Sequence, residues 1–279
     1  MNEQFFIYND NFFIKGQPVM GPENRSFKYG DGLFETIRLH EGRMINLDFH
    51  FERFFKGLMI LKFEIPAHFS PTFFVEKIHV LLNKNAISKN ARIRLMAFRS
   101  NGGIFDSTNS RPHYIIESVS IENLKILNQE GLTIEVFTDA RKSCDHFSNI
   151  KSNNYLLSVM AGLFAQKHNL DDAIVLNTAG RVSETAIANL FTIKGTIIST
   201  PPLSEGCVAG TMRRWMLEKF SLKKYAVIEK NMAVEDIMDA DEIFLTNAIQ
   251  QLRWVKSFRG KHFGNKNAKY IYNHISENI

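Results

Sequence analysis

The sequence predicts a mixed α/β (α+β) chain folded as two domains, and three observations lead there. The chain has 279 residues, 44% hydrophobic and 23% charged, a globular composition at a length that suits two domains. Strand-like and helix-like patterns are interleaved along it without strict βαβ alternation. Turn-forming residues gather at Ser100-Asn101-Gly102-Gly103 and from Thr108 to Pro112, where a domain boundary would fall. The expected division is a smaller α/β domain over residues 1–112, a linker over 113–120 and a larger α/β domain over 121–279.

Element by element, Phe12-Phe13-Ile14 and Gly32 to Leu39 read as strands, the second punctuated by Gly30 and Gly32. Leu47, Phe51, Phe54, Leu58 and Leu61 recur at helical spacing, so a helix is expected from Leu47 to about Lys62 with Asn46 as its cap. Ser70-Pro71 is a cap followed by proline at the first helical position, opening a helix to about Asn83. Ala91 to Phe98 alternates Arg92 and Arg94 with Ile93 and Leu95, a strand pattern. Beyond the boundary, Gly131 to Thr138 reads as a strand and Ser152 to His168 as an amphipathic helix. Ala173 to Leu176 is an apolar strand ending in a turn at Asn177 to Gly180, and Asn189–Ile193 with Thr196–Thr200 form a hairpin-like pair around Lys194-Gly195. A helix is expected to begin near Gly210-Thr211 and a strand to run from Glu242 to Leu245.

Several classes are set aside by composition. The net charge is +5, but the basic residues are scattered and the longest basic runs are pairs, whereas a nucleic-acid binder concentrates its charge in a stripe. The start of the chain shows no basic segment followed by an apolar one, so no signal peptide is expected. The most apolar stretch, Leu156 to Ala165, is about half of what a bilayer span needs. Two cysteines, Cys144 and Cys207, without CxxC spacing offer neither a disulfide framework nor a zinc site. His50 and Glu52 stand two apart on a helix and make no natural metal pair. The expectation is a cytoplasmic protein with no metal, no nucleic acid and no membrane partner. No GxGxxG or GxxxxGK[ST] opens a helix, which disfavours a nucleotide-binding fold.

Four features bear on chemistry. Lys151 stands between the polar loop Ser148-Asn149-Ile150 and the helix expected from Ser152, where partial burial would favour nucleophilic use of its amine. Glu184 precedes the apolar stretch Ala186 to Leu190 and needs a partner, either an arginine or a protonated ring nitrogen. Gly210-Thr211-Met212-Arg213 opens a helix after a Pro- and Gly-containing loop, an arrangement that binds phosphate. Arg53 lies one helical turn from His50 on a face with Gly57 and has the reach for a phosphate. Singly, each has an ordinary explanation: a solvated lysine, a salt-bridged or capping glutamate, a common helix start, a surface ion pair. Together they are the set that pyridoxal phosphate requires.

The sequence resembles the class IV aminotransferase family, the fold type IV pyridoxal-phosphate enzymes, over nearly its whole length. The carriers are Tyr29-Gly30-Asp31-Gly32-Leu33-Phe34-Glu35-Thr36-Ile37-Arg38, His50-Phe51-Glu52-Arg53, Ile150-Lys151-Ser152-Asn153-Asn154-Tyr155-Leu156 and Ala173-Ile174-Val175-Leu176-Asn177. They continue with Gly180 and Val182-Ser183-Glu184, Ala188-Asn189-Leu190-Phe191, Gly210-Thr211-Met212-Arg213 and Glu242-Ile243-Phe244-Leu245-Thr246-Asn247-Ala248. The resemblance implies a two-domain fold like that of D-amino-acid aminotransferase, with the site between the domains and pyridoxal 5′-phosphate as cofactor. It implies Lys151 as Schiff-base lysine and proton shuttle, Glu184 on the pyridine nitrogen, and Tyr155 near the cofactor. Arg53, Gly210, the Thr211 and Met212 amides and Thr246 would surround the phosphate. Tyr29, Arg92, Arg94, Asn247 and Ala248 are the candidates on the substrate side. A homodimer with the site near its interface, and a partner loop over the site, is implied as well.

Within the family, Gly30–Arg38, Gly210–Arg213 and Leu245–Ala248 look closest to 4-amino-4-deoxychorismate lyase, which forms 4-aminobenzoate and pyruvate for folate synthesis. The alternative is a branched-chain amino acid aminotransferase passing its amino group to 2-oxoglutarate. Ile93-Arg94-Leu95 resembles that branch, and Ile104-Phe105 would suit an aliphatic side chain. Ile104 and Asp106 stand where D-amino-acid aminotransferases place an Arg and a His, which argues against that branch. A catalytically idle cofactor-binding scaffold would need neither Lys151 nor Glu184. The expected substrate is a small amino-carboxylate metabolite.

Overall fold

The computed structural model of the chain describes residues 4–106, 109–121 and 127–279. Two compact units emerge: Met1–Asn123 with Ile150–Tyr155, and Leu124–Asn149 with Leu156–Ile279.

The first unit runs β1 (Phe5–Tyr8), β2 (Asn11–Ile14), α1 (Arg25–Tyr29), β3 (Gly32–His40), β4 (Arg43–Met44), α2 (Leu47–Ile60), α3 (Pro71–Lys84), β5 (Ala91–Phe98) and β6 (His113–Ser120). The strands form one antiparallel sheet in the order β2-β1-β6-β5-β3-β4. Alternation sends Leu33, Ile37 and Leu39 of β3 and Ile93 and Leu95 of β5 to one face, where they share a buried cluster with Phe51, Phe54 and Leu58 of α2 and Phe74, Ile78 and Leu81 of α3. Each such side chain contributes about 1.5–3 kcal/mol of burial. The Ser70 hydroxyl accepts from the Phe73 amide at 3.1 Å, with Pro71 in the first turn, so α3 starts where its sequence says it should. Asn46 occupies the cap position of α2 in a left-handed conformation, without a side-chain capping bond.

The second unit contains β7 (Leu132–Lys142), α4 (Leu156–Lys167), β8 (Asp172–Asn177), β9 (Val182–Thr185), β10 (Asn189–Lys194) and β11 (Ile197–Thr200). A 3₁₀ turn (Leu203–Glu205) follows, then α5 (Thr211–Glu218), β12 (Ala226–Glu229), α6 (Val234–Asp239), β13 (Glu242–Asn247), β14 (Gln251–Phe258), β15 (Lys261–His262) and α7 (Lys266–Asn278). Its mixed sheet runs β12-β11-β10-β13-β14-β7-β8-β9, with β15 on β14. Among the described residues no helix is long and apolar enough to cross a membrane.

Three expectations change. Residues 113–120, read as a linker, form β6 and pair with β5 along its whole length; Tyr114 and Ile116 of that strand are core residues. Of the expected boundary loop, Thr108 lies outside the described residues. The helix expected from Ser152 begins at Leu156, because residues 151–153 are extended against β3. The Phe34 amide donates to the Lys151 carbonyl at 2.9 Å and the Asn153 amide to the Gly32 carbonyl at 2.8 Å. Finally, α4 is not conventionally amphipathic: Leu156, Val159, Met160 and Leu163 are exposed in the single chain.

Gly32 makes the attachment of the Lys151 segment sterically feasible. A Cβ there would lie 2.6 Å from the Ala97 carbonyl oxygen and 2.5 Å from the side-chain Nδ2 of Asn153. Gly32→Ala is therefore expected to destabilise the fold by about 1–3 kcal/mol, the usual cost of overpacking. Urea unfolding of the variant measures this, and a midpoint equal to that of the wild type would contradict it.

Candidate active site

In the first unit the site is organised by a carboxylate on the wrong side of a sheet. Alternation along β3 places Glu35 on the same face as Leu33 and Ile37, toward α2, and leaves its side chain 2% exposed. A charge so placed requires partners. Arg53 supplies a fork, Nε to Oε1 at 2.8 Å and NH2 to Oε2 at 2.5 Å, and His50 Nδ1 stands 2.6 Å from Oε2. Helical spacing of three residues brings both bases to one carboxylate. Burial alone would raise the Glu35 pKa, but the charges of Arg53 and His50 and their hydrogen bonds outweigh it and hold it at about 2. Burial pushes His50 below its ordinary value, with Glu35 opposing. An ionised Glu35 can only accept, so the His50 hydrogen resides on Nδ1. The ion pair of Arg53, for which a surface contact is the ordinary explanation, is made to a buried carboxylate by a guanidinium that is 13% exposed, which fixes the direction of that guanidinium.

On the opposite face of the same sheet, Phe34 carries two cations. The Arg94 guanidinium lies 4.0 Å from its ring centroid and Lys151 Nζ 4.5 Å. The Tyr155 ring meets Phe34 edge-on at 5.5 Å, and its hydroxyl accepts from Lys151 Nζ at 3.3 Å. Arg92 shares that face, two residues along β5, and is exposed, whereas Arg94 is half-buried. Burial disfavours the charge on Arg94 and Glu117, its neighbour across to β6, offsets part of this. A guanidinium in that position gains by meeting a carboxylate. Tyr29, at the end of α1, is exposed.

In the second unit Glu184 lies on β9 itself and is buried. Its Oε2 accepts from the Val208 amide at 2.8 Å, and its Oε1 forms a short ion pair with Lys142 Nζ at the end of β7. The sequence reading left open an arginine or a ring nitrogen; the residue beside it is a lysine. Gly210 caps α5, whose first residues Thr211 and Met212 are buried. A Cβ at Gly210 would fall 1.9 Å from Asn189 Oδ1, so a larger residue there would have to displace the Asn189 side chain from its bond to the Val208 carbonyl. Thr246 is buried at the end of β13, and its Oγ1 has no hydrogen-bond partner among the described residues. A buried hydroxyl in that condition is costly unless a ligand meets it. Asn247 turns into its own chain, its Oδ1 accepting from the Ile249 and Gln250 amides at 3.1 and 2.8 Å, with Ala248 inside that turn. Among the described residues no cluster of His, Cys, Asp or Glu could hold a metal ion.

Sequence reasoning missed Glu35, His50 and Lys142 as functional neighbours. A glutamate in the apolar register of a strand was the available signal for the first two. For Lys142 there was none, since its approach to Glu184 joins residues 42 positions apart.

The pKa shifts of Glu35 and His50 have the same sign. Both are held below their ordinary values of 4.5 and 6.5, so their contribution is complete above those values. It is lost as pH falls through the lower, folded ones. Glu35→Gln, which removes the carboxylate charge facing Arg53 and His50, is expected to cost about 3–5 kcal/mol at neutral pH and to remove the share of the acid loss that Glu35 itself contributes. Urea midpoints at pH 7, 4 and 3 test this; an acid limb equally steep in the variant between pH 4 and 3 would assign the titration to other groups.

Comparison with known proteins bears directly on this arrangement. The family model described as Amino-transferase class IV matches residues 32–258. The chain is 30% identical to the aminodeoxychorismate lyase of Bacillus subtilis over 249 residues, 88% of this chain and 83% of the relative. It is 26% identical to a D-alanine aminotransferase of Staphylococcus haemolyticus over 266 residues, 92% of this chain and 89% of the relative. The fold is similar to that of a branched-chain aminotransferase from Thermoproteus uzoniensis solved with norvaline, with a TM-score of 0.88 at 22% identity, covering 99% of this chain and 95% of that one. With residues 32–258 matched by the family model, the chain belongs to the class IV amino-transferase family, whose members are pyridoxal-phosphate-dependent enzymes.

Proposed function

We propose that this chain is a pyridoxal-phosphate-dependent lyase that converts 4-amino-4-deoxychorismate to 4-aminobenzoate and pyruvate. The observation that carries the reading is the pair of arginines on the Lys151 face of the first sheet, Arg94 beside Phe34 and Arg92 two residues away. Each product of the lyase reaction keeps one carboxylate, so its single substrate carries two, and two guanidinium groups suit them, as they also suit the two carboxylates of 2-oxoglutarate in the aminotransferase alternative.

The residues present fit the cofactor. The unpartnered Thr246 hydroxyl, the glycine-capped start of α5 with Thr211 and Met212, and the Arg53 guanidinium oriented by Glu35 are groups that bind phosphate. Glu184, held by Val208 and Lys142, supplies the carboxylate for the pyridine nitrogen. Bound pyridoxal phosphate supplies an electron sink for breaking a C–H bond beside the substrate amino group. Lys151 Nζ takes that proton as general base, with the Tyr155 hydroxyl fixing where the amine sits. Arg94 and Arg92 hold the carboxylates so that this hydrogen faces Lys151. The ring C–H and the ether C–O bond break, the ring becomes aromatic, and the proton ends on the pyruvate methyl group. No water and no redox partner is consumed.

A second reading, a branched-chain amino acid aminotransferase with 2-oxoglutarate, is favoured by exposed Ile104 and Phe105 after Gly102-Gly103. One experiment separates the two. The purified chain is given 4-amino-4-deoxychorismate, with 4-aminobenzoate and pyruvate measured, and separately L-leucine plus 2-oxoglutarate, with glutamate measured. Turnover of the first alone supports the lyase; glutamate alone overturns it. Lys151→Ala is expected to abolish either turnover while remaining folded. Arg94→Met is expected to lower kcat/KM by about 10- to 100-fold, the loss of one charge-assisted contact.

The enzyme is further proposed to act as a homodimer. Leu156, Val159, Met160 and Leu163 line the exposed side of α4, and no charged residue occurs in that helix before Lys167. An exposed apolar stripe without charge meets no like-charge repulsion when it faces its own copy across a two-fold axis, and burying it there removes apolar area from water. Light scattering is expected to give twice the chain mass of 32.1 kDa. A Val159→Glu, Leu163→Glu variant is expected to elute as a monomer; dimers that survive it would place the contact elsewhere.

A further inference from the structure

The segment from Pro201 to Gly210 links β11 to α5 and has little regular structure of its own, only the 3₁₀ turn at Leu203–Glu205. It is nevertheless tied down at several points. Asn149 Nδ2 donates to the Leu203 and Cys207 carbonyls at 2.9 and 2.7 Å, and the Ala209 amide donates to the Asn149 carbonyl at 3.1 Å. Asn189 Nδ2 donates to the Val208 carbonyl at 3.0 Å. Gly206, at φ +83°, passes so near the Ser143 carbonyl that a Cβ would lie 2.3 Å from it.

One tie is ionic, joining a buried carboxylate to a guanidinium that is 42% exposed. The Glu205 carboxylate, its side chain 2% exposed, accepts from Arg181 Nε at 2.6 Å, from Arg181 NH2 at 2.9 Å and from Asn177 Nδ2 at 2.6 Å. Asn177 is itself fully buried and closes the turn that leads into β9, its Oδ1 accepting from the Ala179 and Arg181 amides, both at 3.0 Å. The spacing is symmetric. Three residues after Arg181 comes Glu184, three residues after Glu205 comes Val208, and Glu184 accepts from the Val208 amide at 2.8 Å. Two short segments are therefore joined by two rungs, Arg181–Glu205 at one end and Glu184–Val208 at the other. Sliding one segment by a residue would break both.

With its guanidinium partly in solvent the pair contributes little net stability, but the buried Glu205 carboxylate must keep its donors, and the two-pronged bond from Arg181 with the bond from Asn177 specifies one arrangement. We infer that Glu205, paired with Arg181, is a positioning residue of the cofactor site: it sets the register in which Val208 meets Glu184 and in which the chain reaches Gly210 and α5. The inference rests on the proposed roles of Glu184 and the start of α5 in holding pyridoxal phosphate.

The test uses the full chain stripped of cofactor and titrated with pyridoxal phosphate. Its readouts are the dissociation constant, the position and pH dependence of the visible band, and the Tm of the cofactor-free protein. Glu205→Ala and Arg181→Ala are each expected to weaken binding at least about tenfold, the usual effect of removing a residue that orients a ligand's direct partners. The double variant is expected to be no worse than either single one, since both break the same rung. Glu205→Gln, which keeps the bond from Asn177, is expected to recover part of the affinity. Arg181→Ala and Glu205→Gln carry the test should Glu205→Ala fail to fold. Variants with a lowered Tm but wild-type affinity and band would overturn the inference, reducing the pair to a fold-stabilising contact. A wild-type chain that binds no pyridoxal phosphate would overturn the site itself, and the inference with it.

Discussion

A carboxylate removed from water must find cations or hydrogen-bond donors, and the candidate site is assembled around carboxylates that meet this demand. Glu35 takes Arg53 and His50, and so fixes the direction of a guanidinium suited to phosphate. Glu184 takes Lys142 and the Val208 amide, and so stands in one orientation on β9. Glu205 takes Arg181 and Asn177, and ties the approach to α5. Asp172 accepts from Thr185 Oγ1 at 2.8 Å and from the Ala173 and Ala186 amides at 2.8 and 3.0 Å, anchoring the far end of β9. Burial holds its pKa up at about 6 despite those bonds. Each contact is modest in net energy. Together they replace flexible loops with defined positions, which is what a site acting by orientation requires.

The Lys151 segment shows how backbone pairing serves the same end. Residues 150–155 pack with the first unit, although the chain on both sides of them belongs to the second. Two ladder bonds to β3 hold the lysine where its amine meets the Phe34 ring and the Tyr155 hydroxyl. A lysine at the frayed start of a helix would have a wide choice of rotamers; one anchored to a strand on the residue itself has fewer. The same pairing delays the helix to Leu156, so one departure from the sequence-based reading is also a feature of the site.

Much of the local structure could be read directly. The alternation of Ala91–Phe98 marked β5 at its observed ends, Ser70-Pro71 marked the start of α3, and Lys194-Gly195 marked the hairpin of β10 and β11. These signals are local: period, capping chemistry and turn residues act within a few positions. The strand at His113–Ser120 was read as a linker because its pairing with β1 and β5 is not encoded nearby. The apolar outer side of α4 was read as amphipathic for a similar reason, since periodicity alone does not say which side is covered.

By itself, then, the sequence determined which chemical groups are available and, through motif order, the family: Lys151, Glu184, Arg53, Gly210 and Thr246 are all recognisable in one dimension. Only the tertiary structure decided how those groups are held. Glu35 lies 18 residues from Arg53, Lys142 lies 42 from Glu184, and Glu205 lies 24 from Arg181. Partnerships at such separations follow from strand register and helix placement, and a one-residue shift of either would exchange the buried and exposed sides. Arg92 and Arg94 share one face, so alternation cannot separate them; Arg94 was told from exposed Arg92 only once β5 had been paired with its neighbours and Phe34 lay beside it.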